Sequence, residues 1–132
     1  MSNSRYERGL AVFEKMTGAE GSRIIEQLRT LYPDMADLII TNAFGDIYAR
    51  DGLDLKQREM VTLSSLITQG ATDQLPVHVR AALRVGLTPE EIIEIVLQCA
   101  VYAGYPRALS AFHVVMDVYR EQSITMETTE KA

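Results

Sequence analysis

Apolar residues recur three and four positions apart along almost the whole chain, and no stretch alternates apolar with polar positions as a half-buried strand would. The spacing predicts a helix over residues 6–16, stopped near Gly18, and a second over residues 23–31, stopped by Pro33. Met35, Leu38, Ile39, Ala43 and Ile47 then mark one face of an amphipathic helix over residues 34–49, with Gly45 as a weak point inside it. Asp54 with Gln57 three residues on is a capping-box variant opening a helix that runs to about Thr68, before Gly70. Asp73 is expected to cap the next helix, with Pro76 tolerated in its first turn and Gly86 closing it in the left-handed region. Thr88-Pro89-Glu90-Glu91 is a fuller start signal, and the helix it opens should reach Tyr102 and stop at Gly104. Pro106 opens a last helix to about Gln122. The pattern predicts an all-α fold, a small bundle of about six to seven helices in a single domain over residues 1–122. Residues 123–132, which carry no apolar stripe, are expected to form a disordered tail.

A length of 132 residues fits one domain, and 47% hydrophobic residues suffice for a modest core. A core of that size favours hiding further apolar surface by self-association. With 13 Lys+Arg against 18 Asp+Glu the net charge is −5, which argues against a nucleic-acid or anionic-membrane partner. The opening residues do not read as a signal peptide, and no run of eighteen apolar residues occurs, so a cytoplasmic protein is expected. The single cysteine, Cys99, cannot form an internal disulfide; it reads as a small apolar core residue.

Two residues stand out as candidates for chemistry. Glu59 has Leu55, Leu63 and Leu66 four and seven positions away on its own helix face, so its carboxyl points into an apolar stripe. A carboxylate there must find a partner or carry a proton, because burial penalises the charged form. His78, nineteen positions on, has Leu75, Ala81 and Ala82 on its face. Either could be a satisfied core residue, but together with Arg80 they form a set able to move a proton beside an anion. In a simple antiparallel hairpin they would not lie level. The offset is about 7.5 Å at a rise of about 1.5 Å per residue, and water or substrate is expected to fill the gap between them. His113, beside Leu109 and Met116, reads as a core-edge or subunit-contact residue.

The segments Arg58-Glu59-Met60-Val61-Thr62-Leu63 and His78-Val79-Arg80-Ala81-Ala82-Leu83, with Val85-Gly86-Leu87-Thr88-Pro89-Glu90-Glu91-Ile92, resemble the carboxymuconolactone decarboxylase family. This is the branch related to the alkylhydroperoxidase D proteins. The resemblance extends from Tyr6 to Phe112 and includes Tyr102-Ala103-Gly104-Tyr105-Pro106, similar to the family's Y-A-G-x-P turn. The redox branch carries C-x-x-C before the histidine, and the matching positions here are Ala71 and Gln74. The resemblance implies an all-helical homo-oligomer, a trimer or hexamer with active sites near subunit interfaces, and a carboxy-lyase that uses no cofactor.

The family's type activity converts 4-carboxymuconolactone to 3-oxoadipate enol-lactone and CO2, in the β-ketoadipate pathway of aromatic compound catabolism. By that resemblance Glu59 and His78 are the expected catalytic pair, and Arg58, Arg80, Tyr102 and Arg107 the expected contacts to an anionic lactone. No metal is expected. Arg107 and Ser110 depart from the family's P-A-A-x-N, an extra cation that would suit another lactone or a β-keto acid. Two other readings compete: a non-enzymatic ligand-binding or scaffold oligomer of the same family, and a thiol peroxidase, which would need a second cysteine.

Overall fold

Every regular element among the described residues, 4–126 of this computed structural model, is helical, as the apolar spacing predicts. The chain divides after Arg58 into two compact units.

In the first unit, α1 (Ser4–Leu31) joins the two expected helices across a bend at Gly18, whose φ of 60° is open to glycine at little cost. Tyr32 is extended because the ring of Pro33 disfavours helical geometry in the residue before it. The expected helix over residues 34–49 is present in extent but not in winding. It is α-helical as α2 (Pro33–Leu38) and then widens into a π-helix over Ile39–Tyr48.

Gly45 and Gly9 let this π-helix and α1 meet backbone to backbone. A Cβ on Gly9 would lie 1.9 Å from the Ile40 carbonyl oxygen, and one on Gly45 would lie 2.2 Å from that of Arg5. Phe13, Met16, Ile25, Ala36, Ile40 and Phe44 fill the core of this unit, with the Phe13 and Phe44 rings 4.9 Å apart. At its edge Arg5 Nε donates to Asp46 Oδ1 at 2.8 Å, and this pairing holds the Asp46 carboxyl below the usual carboxylate range.

The division falls inside α3 (Leu55–Gln69), which opens with the expected reciprocal box: Gln57 N donates to Asp54 Oδ1 and Asp54 N to Gln57 Oε1. Gly70, at φ 72°, ends α3. The next helix, α4 (Leu75–Arg84), corrects one expectation, since its N-cap is Gln74 rather than Asp73. Pro76 fixes the first turn, and the turn bond from Gln74 N to Ala71 O leaves Asp73 exposed ahead of the helix. Thr88 and Glu91 cap α5 (Pro89–Ala103) reciprocally, and Gly104 separates it from α6 (Tyr105–Glu121).

The core of the second unit runs from Leu63 and Ile67 on α3 through Leu75 and Val79 to Ile92, Val96, Val115 and Tyr119. The buried Tyr119 hydroxyl donates to Pro89 O at 2.7 Å. Of the segment expected as a tail, residues 123–126 are described: Ile124 N donates to Tyr119 O, and Ile124 and Met126 pack against the core. Residues 127–132 lie outside the described residues. No helix among the described residues is long and apolar enough to cross a membrane.

Candidate active site

Glu59 is fully buried, although the apolar stripe around it offers no natural partner for a carboxylate. Its Oε2 lies 3.3 Å from Nδ1 of His78, whose side chain is 20% exposed. The contact is long for a charge-assisted hydrogen bond. With Glu59 as a carboxylate, His78 Nδ1–H donates and Nε2 is the ring nitrogen left for a ligand. The second carboxylate oxygen, Oε1, is buried and has no hydrogen-bond partner among the described residues.

The expected gap between the two side chains is therefore absent, because the hairpin arithmetic behind it does not apply. Helix α4 packs its backbone against α6 and α5, whereas α3 does not run alongside α4 at close backbone distance. The turn through residues 70–74 redirects the chain, and the side chains of Glu59 and His78 reach each other directly.

The expected anion contacts are placed as follows. Arg80, two positions beyond His78, turns to another side of α4, where its Nη1 lies 3.4 Å from Glu121 Oε2 on α6. Arg58 Nη2 donates to the Arg50 carbonyl at 3.0 Å, and its Nε is buried without a partner among the described residues. Tyr102 is 83% exposed at the end of α5. Arg107 is exposed on the first turn of α6 and lays its guanidinium over Gly70, where a Cβ would meet Nη1 at 2.5 Å. A cation beside the last carbonyls of α3 complements the helix dipole. His113 is exposed and its ring meets that of Phe112 edge-on. The structure thus brings Glu59 and His78 together, ties Arg80 to Glu121, and sets Arg107 against the α3–α4 turn.

Cys99 is buried on α5 with its Sγ 3.6 Å from Ser64 Oγ. It lines a cleft of about 380 Å³ between α3 and α5, together with Met60, Ser64, Glu91, Glu94, Ile95 and Gln98. Glu59 and His78 do not line this cleft. Sequence reasoning did not find it, although the signal was present: Met60 and Ser64 are four apart, as are Glu91 and Ile95. Among the described residues no group of three His, Cys, Asp or Glu side chains is placed to hold a metal ion.

A buried carboxyl with one orphaned oxygen is costly, and replacing such a group with an apolar residue of similar size is commonly neutral or stabilising. Glu59→Leu is therefore expected to leave stability unchanged or raise it by up to about 2 kcal/mol in urea unfolding. A loss of that size would mean the carboxylate holds the helices together.

Residues 33–117 match the carboxymuconolactone decarboxylase family, a span that contains both Glu59 and His78. Over 128 residues the chain is 33% identical to 4-carboxymuconolactone decarboxylase of Acinetobacter baylyi, covering 96% of each chain. It is 37% identical over 112 residues to nitrosuccinic acid decarboxylase of Metarhizium robertsii, covering 83% of this chain and 77% of that one. A chain whose described elements are all helical, with these matches across most of its length, belongs to the carboxymuconolactone decarboxylase family.

Proposed function

We propose that this chain is a cofactor-independent decarboxylase of a small anionic lactone, converting 4-carboxymuconolactone or a close analogue to the enol-lactone and CO2. The observation that carries the reading is the direct contact between a fully buried Glu59 and a partly exposed His78, in a family whose similar members include two decarboxylases. Loss of CO2 breaks the bond between the carboxylate carbon and the ring. The electron pair passes through the ring double bond onto the lactone carbonyl oxygen, and the resulting dienolate takes up one proton at the carbon beside that carbonyl. The lactone is its own electron sink; in nitrosuccinate the nitro group would serve the same purpose. The protein need only supply cations for the carboxylates, stabilisation for the developing oxyanion and one proton.

In this reading His78 delivers the proton or stabilises the oxyanion from Nε2, and Glu59 is a positioning residue that holds the ring through Nδ1. Arg80 anchors a substrate carboxylate by exchanging its ion pair with Glu121 for one with the ligand. Arg58, Tyr102 and Arg107 are the further proposed contacts. Dithiol peroxidase chemistry is not proposed, because Cys99 is the chain's single cysteine. Self-association as a trimer or hexamer, in the cytoplasm, belongs to the same reading. It is supported by the exposed apolar side chains of Leu97, Val101, Tyr102, Tyr105 and Leu109.

The test is CO2 release by the purified chain from 4-carboxymuconolactone and, in parallel, from nitrosuccinate. Turnover of the lactone is the expected result. Turnover of nitrosuccinate alone would move the substrate class to nitro acids, and release from neither would overturn the reading.

A further inference from the structure

The cleft between α3 and α5 lies on a different side of α3 from the catalytic pair. Met60 follows Glu59 by one residue and so sits about 100° around the helix from it. At about 380 Å³ the cleft falls in the size range of small-molecule sites, roughly 300–1,000 Å³. Its walls combine apolar side chains, Met60, Ile95 and the buried Cys99, with a few polar groups, Ser64 among them. Among the described residues every charged side chain lining it is an acid.

Glu91 is held in place through the cap of α5, where its Oε1 accepts from Thr88 N at 2.8 Å. Glu94, one turn of helix from Gln98, is exposed at the cleft. An apolar interior under a carboxylate rim, with no lysine or arginine in the lining among the described residues, repels an anionic lactone and complements an apolar body carrying one positive charge.

From this charge pattern we propose that the cleft is a second binding site, separate from the Glu59–His78 pair, for a small organic monocation: a primary ammonium on a compact apolar group. The apolar group packs against Met60, Ile95 and the Cys99 thiol, and the ammonium meets Glu94. The site does not depend on the decarboxylase reading, because none of its residues is assigned a part in that chemistry.

Cys99 makes the proposal directly testable, since it is the chain's one thiol and lines the cleft. The rate at which methyl methanethiosulfonate, an uncharged reagent, labels Cys99 in the full chain is measured with benzylammonium, benzyl alcohol or benzoate present. Amide chemical shifts of Ser64 and Gln98 are followed in the same titrations. Benzylammonium is expected to slow labelling saturably and to move both amides, benzyl alcohol to do so more weakly, and benzoate to have no effect. Glu94→Gln is expected to weaken benzylammonium about threefold to fivefold, the worth of a partly exposed ion pair, and to leave benzyl alcohol unchanged. Absence of shifts at Ser64 and Gln98, equal binding of the amine and the alcohol, or an amine affinity untouched by Glu94→Gln would each overturn the proposal. If Cys99 resists labelling in the free chain, the amide shifts decide alone.

Discussion

His78→Ala is expected to lower kcat/KM for decarboxylation by about 10²- to 10⁴-fold, the usual worth of a positioned proton-transfer group. The imidazole is anchored at one nitrogen by a carboxylate that is itself fully buried, so the ring is held in one orientation before any substrate arrives. Preorganisation of that kind is lost entirely when the ring is removed. The ring itself is partly solvated, but its removal leaves the fully buried Glu59 carboxyl without His78, so a loss of about 1–3 kcal/mol in a chain that still folds is expected beside the rate effect. CO2 release together with thermal unfolding by circular dichroism checks both halves. A drop in rate of less than tenfold would remove His78 from the chemistry, and failure of the variant to fold would make it a structural residue.

Gly9→Ala is expected to produce the largest loss of stability in the first unit, about 3 kcal/mol or more by urea unfolding. Helix propensity alone argues the other way, since alanine in place of a mid-helix glycine gains roughly 1 kcal/mol. Sterics decide the sign. The new methyl would sit 1.9 Å from the Ile40 carbonyl oxygen and 2.7 Å from Gly45 N, and both are backbone atoms of the π-helix that cannot swing aside. Accommodating it means parting α1 from the π-helix and loosening Phe13, Ile40 and Phe44 beneath. Gly52→Ala is the control: beyond its chain neighbours no atom of the described residues lies within 4 Å of its added methyl, so only a small change is expected there. If Gly9→Ala proved neutral while the control behaved as stated, the close crossing would not be a feature of the protein in solution.

The helix boundaries were legible where a side chain or a glycine sets them locally. The Asp54–Gln57 and Thr88–Glu91 boxes and the stops at Gly70, Gly86 and Gly104 are encoded within four residues of where they act. What depends on distant chain was not legible. The π-winding of residues 39–48 accompanies a crossing made with Gly9, thirty and more positions away, and periodicity read along the chain contains no trace of it. Asp73 looked like a cap because aspartate favours that role, but the Pro76 register and the backbone turn before it moved the start by one residue.

The candidate pair was legible for a different reason. A glutamate in an apolar stripe is chemically conspicuous, and the surrounding residues resemble a family whose sequence pattern places a histidine after that acid. Their direct contact was missed because it rests on where the 70–74 turn sends α4. Arg107 illustrates the same limit: as a cation near the Y-A-G-x-P turn it read as an anion contact, yet its guanidinium lies over Gly70, thirty-seven positions earlier in the chain.

Glu59 and His78 are proposed to act as one unit on the substrate. A double-mutant cycle on kcat/KM for 4-carboxymuconolactone tests it most directly, comparing Glu59→Gln, His78→Ala and the pair combined. Groups that work only through each other are strongly non-additive. Each single change is expected to be severe, and the double variant about as slow as His78→Ala alone. Losses that multiply, or a Glu59→Gln variant as fast as the unaltered chain, would contradict it.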